Sequence, residues 1–119
     1  MDAQSLQKWL KVFAYRIVPL CESLPAKEES GVIGQQLMWL AYSAAAKYGA
    51  VCKAQSKRSF TAKPSVALEE MYEFLFWLEA IADIKLIGKH RLEKILNRAD
   101  ELTRILAASG KTALGIRVE

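Results

Sequence analysis

A chain of 119 residues can bury one hydrophobic core and no more, and apolar residues make up 52% of it, which excludes a disordered protein. Its 17 basic and 13 acidic residues give a net charge of +4, a mild excess that suits a nucleic-acid partner without requiring one. Cys21 and Cys52 belong to no CxxC or Cys/His cluster, so they are expected as buried free thiols in a reducing compartment.

The first helix is expected from Asp2 or Ser5, either of which can cap it, to Ser23, with Leu6, Trp9, Leu10, Phe13, Ile17, Leu20 and Leu24 on one face. Lys8, Lys11 and Arg16 interrupt any continuous apolar run here, which excludes a signal peptide and points to a cytoplasmic protein. Pro19 has no N–H to return to Tyr15, so the last turn should kink or loosen, and Pro25 should end the helix.

Ser30 is placed to cap the second helix, which is expected to reach Cys52. One apolar stripe runs through Ile33, Leu37, Leu40, Ala41, Ala44, Tyr48 and Cys52, and a second through Met38, Tyr42, Ala45 and Gly49. A helix apolar on two faces needs a second surface to cover the extra one, and a partner subunit supplies it. The uncharged run Ser30 to Ala46 is too short for the ~20 apolar residues of a membrane span.

After the polar stretch KAQSKR the third helix is expected near Ser59, or at Pro64 as its first residue. The run Phe74-Leu75-Phe76-Trp77-Leu78 must point all round a helix axis, and its Glu-, Ala- and Leu-rich flanks favour helix over strand. The fourth helix should span His90 to Ala108 with Leu92, Ile95, Leu96, Ala99, Leu102 and Leu106 inward, Gly110 ending it. Residues 111–119 then form a mobile tail after a bundle of residues 1–110. Short connections make an all-α, antiparallel up-down-up-down four-helix bundle the natural solution. Met38, Trp39, Tyr42, Phe74, Phe76 and Trp77 are the expected oligomer interface.

Several features in order resemble a known family: Leu24-Pro25, Lys27-Glu28-Glu29 and Gly31, then Gln36-Leu37 opening an alanine-rich helix with Ser43. Ser59-Phe60, Ala67-Leu68 and Glu73, and Leu86-Ile87 before the last helix complete the set. The chain resembles the four-helix-bundle proteins encoded in intervening sequences of some bacterial 23S rRNA genes, labelled S23 ribosomal protein, and the accessory proteins of diversity-generating retroelements. The resemblance implies a homopentameric barrel, a basic surface suited to RNA or DNA, no enzymatic activity and, in the retroelement branch, a reverse transcriptase as partner. Met38-Trp39 stands where many members carry a basic pair, and Lys47 and Ala50 replace a polar Asn and Glu.

Catalysis and cofactors find no support in the residues. Gly110-Lys111-Thr112 imitates the end of a phosphate-binding loop, but Ile105 occupies the position of the required glycine and no strand precedes it. His90 is the only histidine, so one subunit cannot assemble a two-histidine metal site or a histidine relay.

The charges are grouped. Lys47, Lys53, Lys57, Arg58 and Lys63 come without an acid, then Glu69, Glu70, Glu73, Glu79 and Asp83 without a base, then Lys85, Lys89, Arg91, Lys94 and Arg98 with only Glu93 opposing. Two readings stand: solvated helix ends with ion pairs between subunits, or a phosphate-contacting surface. The second assigns nucleic-acid contact to Lys53, Lys57, Arg58, Lys63, Lys89, Arg91, Lys94 and Arg98; the first makes the protein a protein-binding scaffold.

Overall fold

The computed structural model describes residues 2–56 and 65–113, all of whose regular structure is helical: α1 (Ala3–Glu22), α2 (Glu28–Ser56), α3 (Ser65–Asp83) and α4 (Lys89–Ala113). Asp2 caps α1, its carboxylate accepting from the Ser5 N–H at 2.7 Å, which holds its pKa below the usual value. The helix runs through the exposed Pro19 to Glu22, and Ser23 closes it with its N–H on the Pro19 and Leu20 carbonyls.

Three boundaries differ from expectation, one of them the end of α2, which runs past Cys52 to Ser56. α2 begins at Glu28, so Ser30 is not its cap but a buried residue of the first turn, its hydroxyl without a partner. Glu28 and Glu29 complement the positive end of the helix dipole, which favours the earlier start. At the other end α4 passes through Gly110 to Ala113, because a single glycine weakens a helix by only ~1 kcal/mol and no proline follows to stop it. The expected start of α3 near Ser59 lies outside the described residues; the helix is present from Ser65.

Between α3 and α4 the chain turns on Lys85, whose φ of 60° is left-handed. The Leu86 N–H reaches the Ile81 carbonyl at 3.0 Å and the Lys85 N–H that of Ala82 at 3.2 Å, a helix stop in which glycine is the usual residue. Buried Leu86 and Ile87 then anchor the turn to the core.

The helices pack in the cyclic order α1, α2, α3, α4, with α4 closing on α1. α1 and α3 therefore stand at opposite corners and meet through side chains at the centre, where the Phe13 and Phe74 rings lie edge to face at 5.3 Å. Leu6, Leu10, Ile17, Leu37, Leu40, Met71, Leu78, Ile81, Leu92, Leu102 and Leu106 fill the rest of the core. Where α1 passes α2, Gly49 leaves room for Gln7: a Cβ there would come within 2.9 Å of the Gln7 amide.

Candidate nucleic-acid and subunit surfaces

The five-residue apolar run of α3 is divided by helix geometry. Phe74 and Leu78 are wholly buried, Leu75 and Trp77 are half-buried, and Phe76 is 61% exposed with its ring edge-on to Trp77 at 5.2 Å. Phe74 is thus removed from the expected subunit interface, since its side chain is spent against Phe13 inside the bundle. Trp39 at 60% and Tyr42 at 43% exposure remain outside, while Met38 is half-buried against the core.

The second apolar stripe of α2 is shared between two surroundings. Ala45 is buried and Gly49 lies against Gln7 of α1, so half of that stripe serves packing within the subunit. Tyr42 is left beside Tyr15 of α1, ring centroids 6.0 Å apart. A shallow cavity of about 310 Å³ runs along this α1–α2 seam, lined by Lys11, Tyr15, Tyr42 and Ala46 among others.

On the α2–α3 seam, Glu70 is almost wholly buried and its Oε2 accepts from Lys47 Nζ at 2.8 Å and Ser43 Oγ at 3.0 Å. Lys47 also lies over the Trp39 ring, 5.6 Å from its centroid. One cation of the first basic block is therefore committed within the subunit.

Of the cations expected to contact nucleic acid, Lys53 is exposed on the last turns of α2, and Lys57, Arg58 and Lys63 lie outside the described residues. Lys89, Arg91 and Lys94 are exposed on α4. Arg91 donates to Ser23 Oγ at 3.2 Å, which ties the start of α4 to the end of α1. Arg98 is half-buried: its guanidinium covers the Trp9 ring at 4.6 Å and donates to Glu101 at 2.9 Å.

The α1–α4 seam brings these cations to others not singled out from the sequence. A groove of about 290 Å³ there is lined by Lys8, Trp9, Val12, Phe13, Arg16 and Arg98. Arg91, Lys94 and Arg98, at i, i+3 and i+7, share the side of α4 that borders it. The missed signal was in α1 itself, which carries Lys8, Lys11 and Arg16 and no acid between Asp2 and Glu22.

The remaining motifs have plain surroundings. Gly110-Lys111-Thr112 is part of α4 rather than of a loop whose N–H groups converge on a phosphate. His90 is exposed at the start of α4, and no group of three metal-ligating side chains occurs among the described residues. No helix among them is long and apolar enough to cross a membrane.

Both thiols are half-buried, and burial pushes the Cys21 thiol up to about 11, with Glu22 adding to the effect. Burial likewise raises Cys52. A raised pKa means that the folded chain keeps the Cys21 proton after the unfolded chain has lost it. Stability should then be intact below the ordinary thiol pKa and fall as pH rises from there towards 11. Urea melts of the wild type and of Cys21→Ser between about pH 8 and 10.5 check this, the serine variant showing the shallower fall; equal slopes would refute it.

The model of one family, the 23S rRNA-intervening sequence protein, matches residues 4–108 of the chain. A crystal structure from Bacteroides thetaiotaomicron VPI-5482, a protein of unknown function from the S23 ribosomal protein family, superposes with a TM-score of 0.80 at 28% identity, covering 93% of this chain and 99% of that one. None of the curated proteins compared with this chain matches it. With a fold shared over nearly its whole length and a family model spanning α1 to α4, the chain belongs to the 23S rRNA-intervening sequence protein family.

Proposed function

We infer that this protein is a non-enzymatic, homo-oligomeric helical bundle that binds the backbone of RNA or DNA through its basic surfaces. The observation that carries the reading is the α1–α4 seam, where Lys8, Arg16 and Arg98 line one groove and Arg91 and Lys94 continue it along α4. Trp9 sits under Arg98, so the groove offers cations to phosphates before it offers a ring to bases. A ring of subunits would repeat the groove, and linked weak sites bind far more tightly than one alone.

The bundle proposed is the up-down-up-down one. The pairs Cys21 with Gly34, Gln7 with Gly49, and Ala3 with Cys52 support an antiparallel α1 and α2, as Trp9 with Arg98 and Ser23 with Arg91 do for α1 and α4. The pentamer that the family resemblance implies is the assembly adopted, and exposed Trp39, Tyr42 and Phe76 are the apolar surface it would cover.

Gel-shift titrations at two salt concentrations test the binding. Phosphate contacts release counterions, so replacing Lys57 and Arg58, or Arg91 and Lys94, by Ala should weaken binding equally for unrelated sequences. Each pair should also flatten the log–log salt slope by roughly one to two per subunit engaged. Unchanged affinity and slope would remove that pair from the surface. Absence of binding by the wild type near about 50 mM salt would leave the protein-scaffold reading in its place.

A further inference from the structure

Two separate surfaces of the bundle carry opposite charge. α3 exposes Glu69, Glu73, Glu79 and Asp83 and holds no base, whereas the α1–α2 seam is lined by Lys11 and by no acid. Both surfaces also expose aromatic rings. Tyr72 and Phe76, four apart on α3, are 55% and 61% exposed; Tyr15 and Tyr42, whose tilted rings meet across the α1–α2 seam, are 55% and 43% exposed.

Two identical copies can meet in only two ways. An isologous contact sets each patch against itself, which here brings four exposed carboxylates against four, or Lys11 against Lys11. A heterologous contact sets the acidic ring-bearing edge of one copy on the basic ring-bearing seam of the next and so joins opposite charges around an apolar centre. The seam already has a receptive shape, the cavity of about 310 Å³ lined by Lys11, Tyr15, Tyr42 and Ala46.

We propose that the occupant of the α1–α2 seam is a second copy of this chain, which lays Tyr72 and Phe76 of its α3 against Tyr15 and Tyr42 while Glu73 meets Lys11. The contact is head-to-tail, and successive copies use the same two unlike surfaces. It rests on the homo-oligomer proposed above and adds to it which surfaces join. The α1–α4 groove with Arg16 and Arg98 stays open on another side, so assembly and nucleic-acid binding do not compete for it.

A mixing experiment tests the pairing. Phe76→Glu blocks only the α3 edge and Tyr42→Glu only the seam. Each variant alone, checked for helicity by circular dichroism, should run at the 13.3 kDa of one chain in light scattering. Mixed one to one they retain one intact pair of surfaces and should give a species of twice that mass, which grows no further. The wild-type assembly should also weaken as salt is raised from about 0.1 to 1 M, since rim charges are screened.

A wild type that is itself monomeric would overturn the oligomer reading together with this one. A wild type that assembles while either variant does so too, or a mixture that stays monomeric, would overturn the pairing alone. Should Phe76→Glu fail to fold, Glu73→Lys on the same exposed edge carries the same expectation, as it sets like charge against Lys11.

Discussion

Phe74→Ala should cost the fold about 3–5 kcal/mol, the range for removing a buried phenyl ring and leaving a cavity behind. The ring has no exposure at all, and it is the piece of α3 that touches Phe13 on the far corner of the bundle. Its loss therefore loosens both diagonally opposed helices at once. Small domains have only ~5–15 kcal/mol of net stability, so urea melts should show a much lower midpoint with little change in slope. Phe76→Ala, two residues along and 61% exposed, should change the stability of a separated subunit by under about 1 kcal/mol. Equal losses at the two positions would mean that the inward and outward assignment of this run is wrong.

Lys47→Ala should destabilise by roughly 2–3 kcal/mol, less than the 3–5 of a fully enclosed pair because the lysine itself is partly in water. Glu70 is the reason for so large an effect from a surface-reaching lysine. Its side chain is 8% exposed, its Oε1 has no hydrogen-bond partner, and without Lys47 its Oε2 keeps only the Ser43 hydroxyl at 3.0 Å. The double change Lys47→Met with Glu70→Leu removes both charges and fills the seam with apolar groups of similar size. It should recover most or all of the loss when compared with each single change at one fixed protein concentration, since assembly adds to apparent stability. A double variant as unstable as the sum of its parts would show that the ion pair is not what Lys47 contributes.

Helix number and type were legible in the sequence because helical periodicity is written locally. Leu6, Leu10, Phe13 and Ile17, or Leu92, Ala99, Leu102 and Leu106, recur at spacings that one helix face requires, and all are buried. The family resemblance was legible for a similar reason, since it lay in the order of short motifs along the chain. Helix ends were less so: Ser30 offered a cap that the chain does not use, and Gly110 a stop that it passes through, because each end is a balance of about a kcal/mol between competing local choices.

Only the tertiary structure decided which residues of the over-apolar helices face inward and which charges stand together. A run such as Phe74 to Leu78 points in every direction, and nothing within it says which direction holds a neighbouring helix. The position of Phe13 settles that for Phe74 and leaves Phe76 outside. In the same way Arg16 and Arg98 lie far apart in sequence and come to one groove because α4 closes on α1. Burial and charge clustering are sums over partners brought from elsewhere in the chain, and a linear pattern records a helix's own faces but not what is packed against them.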